Sequence, residues 1–293
     1  MTVCIAALCR AELQTIILTA DRMITGGDIE YEPDKPKLYR LDTTDKIVTL
    51  IAGDVSAQSS IGQAASLVVV TQGITDIKSA AQAVANAYAD YRRTTAERKY
   101  LYPLGLTLND FAIKSGTMSA TLVSDIRNQL EHHEIGCEII VAGVEPSGAA
   151  HLYLVVEPGI ALCQDITGFV TIGSGGAQAA SEFMFHRHHP DAEPWETLIL
   201  SYTAKRRAEA APGVGKHTDI AMLAPVAQFF LQPSDIAGLK TIYEKIQTDG
   251  EGNWREAKDA IAKLFTRPGT QPPQTAAPNQ TGVRAPGSES GSA

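Results

Sequence analysis

Thr2, Asp21, Lys37 and Gly53 are residues whose types could act together on a carbonyl group. A threonine hydroxyl is a weak nucleophile and needs a base beside it. If Met1 is removed, as the small Thr2 favours for a methionine aminopeptidase, Thr2 carries its own base. The new α-amino group has an ordinary pKa of about 7.7–8.0 and is partly neutral near physiological pH. A neighbouring lysine ammonium would lower the amine pKa further, and an aspartate would hold that lysine charged and in place. A glycine at a strand end can offer its backbone N–H to a developing oxyanion. Taken singly these residues are ordinary: a threonine at position two, a strand-end Asp21-Arg22 pair, a solvated edge lysine.

The elements that must bring them together are short and β-branched. Residues 1–9 and 15–20 read as two strands joined at Ala11/Glu12. A hairpin turning there pairs residues whose numbers sum to about 23, which sets Asp21 beside Thr2. A second hairpin follows, from Lys37–Leu41 through the turn Asp42–Asp45 to Lys46–Gly53. One end of the sheet thereby collects a Thr, an Asp, a Lys and a Gly.

The run Thr2…Leu18-Thr19-Ala20-Asp21-Arg22-Met23-Ile24-Thr25-Gly26-Gly27…Lys37-Leu38-Tyr39…Ile51-Ala52-Gly53 resembles the opening of proteasome β-subunits and of the HslV peptidase, which are N-terminal nucleophile (Ntn) hydrolases. Two later stretches are also similar to that family: Ile139–Gly148 with His151-Leu152-Tyr153, resembling its central hairpin, and Gly168…Thr171-Ile172-Gly173-Ser174-Gly175-Gly176, resembling its Gly-Ser-Gly step into a helix. The resemblance spans roughly residues 2–225. It implies a four-layer αββα sandwich of the α+β class. It implies Thr2 as nucleophile, Asp21 and Lys37 as its tuning pair, Gly53 as oxyanion donor and Ser174 as a hydrogen-bonding partner of the amine. It also implies a peptide substrate laid along Thr25-Gly26-Gly27 as an added strand. The first pocket would be lined by Ile24, Lys35, Ile51 and Val55, unless Lys35 is simply a solvent-facing loop lysine.

The chain departs from the family pattern near residue 211. Proteasome β-subunits carry an Asp and a Ser just before the last strands; aligned on Asp219-Ile220, this chain has Ala211 and Val214 there, with Glu209 the nearest carboxylate. Two alternatives to a peptidase follow: a non-catalytic assembly protein that keeps the scaffold, or an Ntn amidase acting on small amides. The family forms closed assemblies, so a homo-oligomer of ring or helical type is expected, with an ATPase unfoldase as a possible partner.

Composition bounds the other classes. With 293 residues, 44% hydrophobic and 20% charged, the chain can bury a large core. A net charge of −8 without a dominant basic cluster argues against nucleic acid. No apolar run approaches the ~18 residues of a membrane span, and the first apolar segment is too short for a secretory leader. Cys4, Cys9, Cys137 and Cys163 form no CxxC, and Cys4 and Cys9 fall on opposite faces of one strand; reduced thiols of a cytoplasmic protein are expected. His132-His133 and His186, His188 and His189 lack the spacing of a zinc site and read as solvated helix-end residues. The Gly173–Gly176 step could receive a phosphate at a helix N-terminus but lacks the nucleotide-binding spacings. No cofactor or metal is expected.

Further along, Asp54 and Asp76 are expected to cap helices running to Val70 and from Ala80 to about Tyr102. Ser119–Glu134 reads as an amphipathic helix, 137–172 as four strands, 175–189 and 191–211 as helices, and 219–223 and 227–231 as closing strands. Residues 1–232 form the expected Ntn domain and 233–266 an extension of two helices, about Ser234–Thr248 and Asn253–Phe265. Residues 267–293, rich in Pro, Gly, Ser, Thr and Gln, are expected to be disordered.

Overall fold

The structure, a computed structural model, describes residues 2–10, 13–26, 29–34, 36–225 and 228–265, except the side chains of 25, 26, 55, 259, 260 and 262–265. Lys35 and the expected tail therefore lie outside the described residues. The chain divides into two compact units, Met1–Tyr243 and Glu244–Ala293.

The opening strands are β1 (Cys4–Arg10) and β2 (Gln14–Ala20), antiparallel. Their register is one place away from the expected one: Cys4 pairs with Ala20 and Arg10 with Gln14. The strands close at Arg10 and Gln14, so three residues connect them instead of the two assumed, and loop length sets hairpin register. The shift decides which side chains share a face. Cys4, Ala6 and Leu8 point the same way as Ala20, Leu18 and Ile16, while Val3, Ile5 and Ala7 point the other way. Cys4 and Cys9 fall in different core clusters, as their odd spacing requires.

A two-stranded ribbon follows, β3 (Ile24–Gly26) with β4 (Ile29–Tyr31), and then β5 (Leu38–Arg40) and β6 (Ile47–Ala52). Asp42 shapes the β5–β6 turn by accepting the N–H groups of Lys46 and Ile47, each at 3.1 Å. Asp54 caps α1 (Val55–Gln72) by accepting Ser56 N–H at 2.7 Å, and Gly73 ends that helix with φ +62°. Asp76 caps α2 (Ile77–Tyr100) through Ser79 N–H, and this bond holds its carboxyl below the usual range. The segment that follows splits into α3 (Leu108–Lys114), opened by a Thr107/Asp110 capping box, and α4 (Ala120–Glu131), capped by Ser119.

Strands β7 (Glu138–Val144), β8 (Ala150–Val156), β9 (Ile160–Cys163) and β10 (Phe169–Ile172) lead into α5 (Gly176–Phe185) and α6 (Pro194–Ala208). Strands β11 (Asp219–Leu223) and β12 (Gln228–Phe230) precede α7 (Pro233–Phe265). The extension expected as two helices is thus one, and it runs through Gly250 and Gly252 between the two expected segments. A glycine costs a helix only about 1 kcal/mol, too little to end it here.

Two five-stranded antiparallel sheets result, β10-β1-β2-β11-β12 and β5-β6-β7-β8-β9, in a mixed α+β protein. One apolar cluster draws from both sheets, with Leu18, Ala6 and Ile172 of the first meeting Leu50, Ile140 and Leu152 of the second. The opposite face of the second sheet packs Ile51, Ile139 and Val141 against α1 and α2 through Ile61, Val84 and Tyr88. The opposite face of the first packs Val3, Ile5 and Ile17 against α5 and α6 through Phe183, Ala204 and Tyr202. Each fully buried isoleucine or leucine contributes roughly 1.5–3 kcal/mol, so the facing of the two sheets is strongly specified.

Candidate active site

Thr2 precedes β1 and Asp21 follows β2, so the hairpin ladder carries both to one end of the first sheet. Asp21 N–H donates to the Val3 carbonyl at 3.2 Å, extending the pairing by one rung. The Asp21 carboxylate then turns back to Thr2, whose hydroxyl donates to its Oδ1. Asp21 is fully buried and Thr2 is 3% exposed.

A buried carboxylate must be compensated on every side. Asp21 Oδ1 accepts Val3 N–H at 3.1 Å and the Lys37 ammonium at 2.8 Å; Oδ2 accepts Met23 N–H at 3.2 Å and Gly215 N–H at 2.8 Å. Lys37, just ahead of β5, also donates to Thr2 Oγ1. Its side chain is 11% exposed, so the ammonium sits largely out of water. The hydroxyl, the carboxylate and the ammonium form a closed triangle, in which each member touches the other two.

The glycine-rich step before α5 wraps the Thr2 backbone from another side. Thr2 N–H donates to Ser174 Oγ at 3.2 Å, and Gly175 N–H donates to the Thr2 carbonyl at 3.2 Å. The Ser174 hydroxyl stands 3.3 Å from the Thr2 carbonyl and 3.2 Å from that of Pro212, with one proton to give to either. Gly173 has φ +88°, and a side chain there would run into the Thr2 carbonyl oxygen. This step is turned toward Thr2, which takes up the Gly175 donor that a phosphate would need.

The structure therefore brings together Thr2, Asp21, Lys37 and Ser174. Gly53 stands between β6 and the Asp54 cap with φ +112°, and a Cβ there would meet the carbonyl oxygen of Gly136. No hydrogen bond joins Gly53 to Thr2 among the described residues. Ile24 is half-buried at the start of β3; Thr25 lies in β3 and Val55 opens α1. Ile51 is 4% exposed and packs with Ala57 and Ile61 in the helix-side core.

At the point where the family pattern breaks, Ala211 and Val214 are buried in the apolar cluster with Ala204 and Ala208. Glu209 receives Lys205 Nζ at 2.5 Å and Arg206 at 3.0 Å, and no hydrogen bond joins it to Thr2 among the described residues. The residues that reach the site from this loop are Gly215, through its N–H, and Pro212, through its carbonyl. Neither was legible in advance, because backbone N–H and C=O groups are common to almost every residue and only the chain path selects one.

Arg22 grips Asp219 with two bonds of 2.7 and 2.6 Å, tying the end of β2 to the start of β11 beside the site. Cys4, the nearest thiol in sequence, is wholly buried; burial pushes it up to about 12, partly offset by Lys37, so it stays protonated. Among the described residues no three His, Cys, Asp or Glu side chains are grouped to hold a metal ion. His151 pairs with Asp165 at 2.7 Å and His186 with Glu182 at 3.2 Å instead. Among the described residues, no helix is long and apolar enough to cross a membrane. No family model matches the chain, and no curated protein matches it.

Proposed function

We propose that this protein is an N-terminal threonine peptidase of the kind found in proteasome β-subunits and HslV, built on a four-layer αββα Ntn fold. The observation that carries the reading is the triangle of Thr2 hydroxyl, Asp21 carboxylate and Lys37 ammonium at the end of a strand pair. The fold reading is supported by two sheets that share one core and by helices packed on both of their outer faces.

The reaction needs the chain to begin at Thr2, so that its nitrogen is a free amine. That amine takes the hydroxyl proton while Oγ1 attacks a peptide carbonyl carbon. Lys37, held by Asp21, lowers the proton affinity of both groups. The oxyanion forms against backbone N–H, with Gly53 the donor proposed, and collapses as the ammonium returns the proton to the leaving amine. An ester on Oγ1 remains; the amine then deprotonates a water that attacks it, and the proton passes back to Oγ1 as the acid product leaves. A peptide would pair with the backbone of β3 at Thr25, with Ile24 beside the first pocket; Ile51, turned into the helix-side core, takes no part in it. A ring or helical homo-oligomer would enclose the site, with unfolded protein as substrate and an ATPase as feeding partner.

A second reading, a non-catalytic assembly protein, draws on Ala211 and Val214, which put apolar side chains where the family has polar support. Intact mass, before and after a threonine-directed β-lactone, separates the two. The peptidase gives a species without Met1 that gains one adduct, lost in Thr2→Ala. A chain that retains Met1, or gains no adduct, sinks the peptidase.

A further inference from the structure

Lys205 lies on α6 and is fully buried, an unusual place for a lysine. Its ammonium makes two bonds, and they go to opposite ends of one loop: Glu209 Oε1 at 2.5 Å and the Lys216 carbonyl at 2.9 Å. Between those ends lie the two groups through which the loop meets the site. The Pro212 carbonyl faces Ser174 Oγ at 3.2 Å, and Gly215 N–H reaches Asp21 Oδ2 at 2.8 Å. The loop's apolar members, Ala211 and Val214, settle into the core beside Ala208, but apolar packing alone does not aim an N–H group.

We infer that Lys205 is a positioning residue whose buried ammonium joins the two ends of the 209–216 loop and so aims Gly215 N–H at Asp21 and the Pro212 carbonyl at Ser174. In this role it occupies, by a different route, the place left by the polar residues that Ala211 and Val214 replace. Burial lowers the pKa of Lys205 and Glu209 pulls it back up, as expected when the charge is kept only by its partners. A lysine whose role was only to support the helix would have no need to reach Lys216, eleven residues on. The inference rests on the peptidase reading for its consequence in catalysis, though not for the loop geometry.

The test removes the buried ammonium and its carboxylate partner together, so that the Lys205 charge is not simply deleted from beside Glu209. In the full chain carrying Lys205→Met and Glu209→Gln, amide exchange is read at Gly215 against Ile5 in β1. The β-lactone reaction at Thr2 is read as its maximal rate and its half-saturating concentration. The expected result is a rise in Gly215 exchange of roughly tenfold relative to Ile5, with a maximal labelling rate lowered by a similar factor and an unchanged half-saturation. Gly215 exchange equal to wild type overturns the inference, whatever the labelling does. If wild-type protein takes no label, only the peptidase reading falls, and Gly215 exchange still decides the role of Lys205. Should the double variant not fold, Glu209→Gln alone keeps an oxygen for Lys205 and is read the same way. A rise of about threefold is then expected, and no rise overturns the inference.

Discussion

Gly215 donates its backbone N–H to Asp21 Oδ2 at 2.8 Å, across 194 positions of sequence. Through this bond the loop before β11 becomes part of the wall around Thr2, because the same carboxylate receives the Thr2 hydroxyl on its other oxygen. Asp21 is thus the junction of four chain segments: the N-terminus, its own strand end, the Lys37 segment and the Gly215 loop. A fully buried carboxylate with five donors is held from every side, as the proposed attack by the Thr2 hydroxyl requires of its neighbour.

Replacing Lys37 by methionine keeps most of the side-chain volume and removes the ammonium. We expect hydrolysis, or β-lactone labelling at Thr2, to slow by about 10²–10³-fold, the range for removing one preorganised charge-stabilising group. Stability should fall as well, since Asp21 would keep its backbone donors but lose the ion pair with Lys37. Labelling at the wild-type rate would remove Lys37 from the mechanism.

Gly173→Ala tests the wrap around Thr2. The φ of +88° disfavours any side chain, and the new methyl would meet the Thr2 carbonyl. Urea denaturation should show a loss of about 1–3 kcal/mol, together with loss of labelling at Thr2 in protein that remains folded. A variant as stable and as reactive as wild type would mean that the step does not press on Thr2.

His133 supplies a pH dependence away from the site. Where a solvated helix end was expected, it is buried against the edge of the Tyr100 ring, 5.6 Å between centroids, with Nε2 3.1 Å from Thr95 Oγ1. Burial, then the charges of Lys99 and Arg92, hold its pKa below the ordinary value. The unfolded chain therefore binds this proton more readily, so the stability His133 lends is present above about pH 6.5 and is lost as the pH falls through that value. His133→Gln keeps a hydrogen-bonding side chain without the titration. Between pH 7.5 and 5.5 the urea midpoint should drop more in wild type than in this variant; equal drops would contradict the assignment.

Much of the site was readable because its chemistry sits in the side-chain alphabet and its placement in local pairing. A β-branched run, a turn and a second run bring the residues after β2 back to those before β1, so Thr2 and Asp21 come to the same end of the strand pair in either of two adjacent registers. The capping aspartates Asp54 and Asp76 were legible for the same reason, since a cap acts over three residues. The opposite facing of Cys4 and Cys9 followed from the two-residue period of a strand alone.

What only the tertiary structure decided has the opposite character. The register settled one place away because a single residue of loop length outweighs any pattern within the strands. Ile51, a pocket candidate from its position, went to the helix-side core because its strand parity faces α1. The Gly215 donor, the Pro212 acceptor and the Lys205 tie depend on backbone atoms that all residues share, brought near by chain folding over long separations. The sequence by itself determined which reactive groups this protein owns and which of them lie at one strand end; the packing of α6 and its following loop against the sheet determined what holds them there, because a backbone N–H acquires an address only when the chain has folded around it.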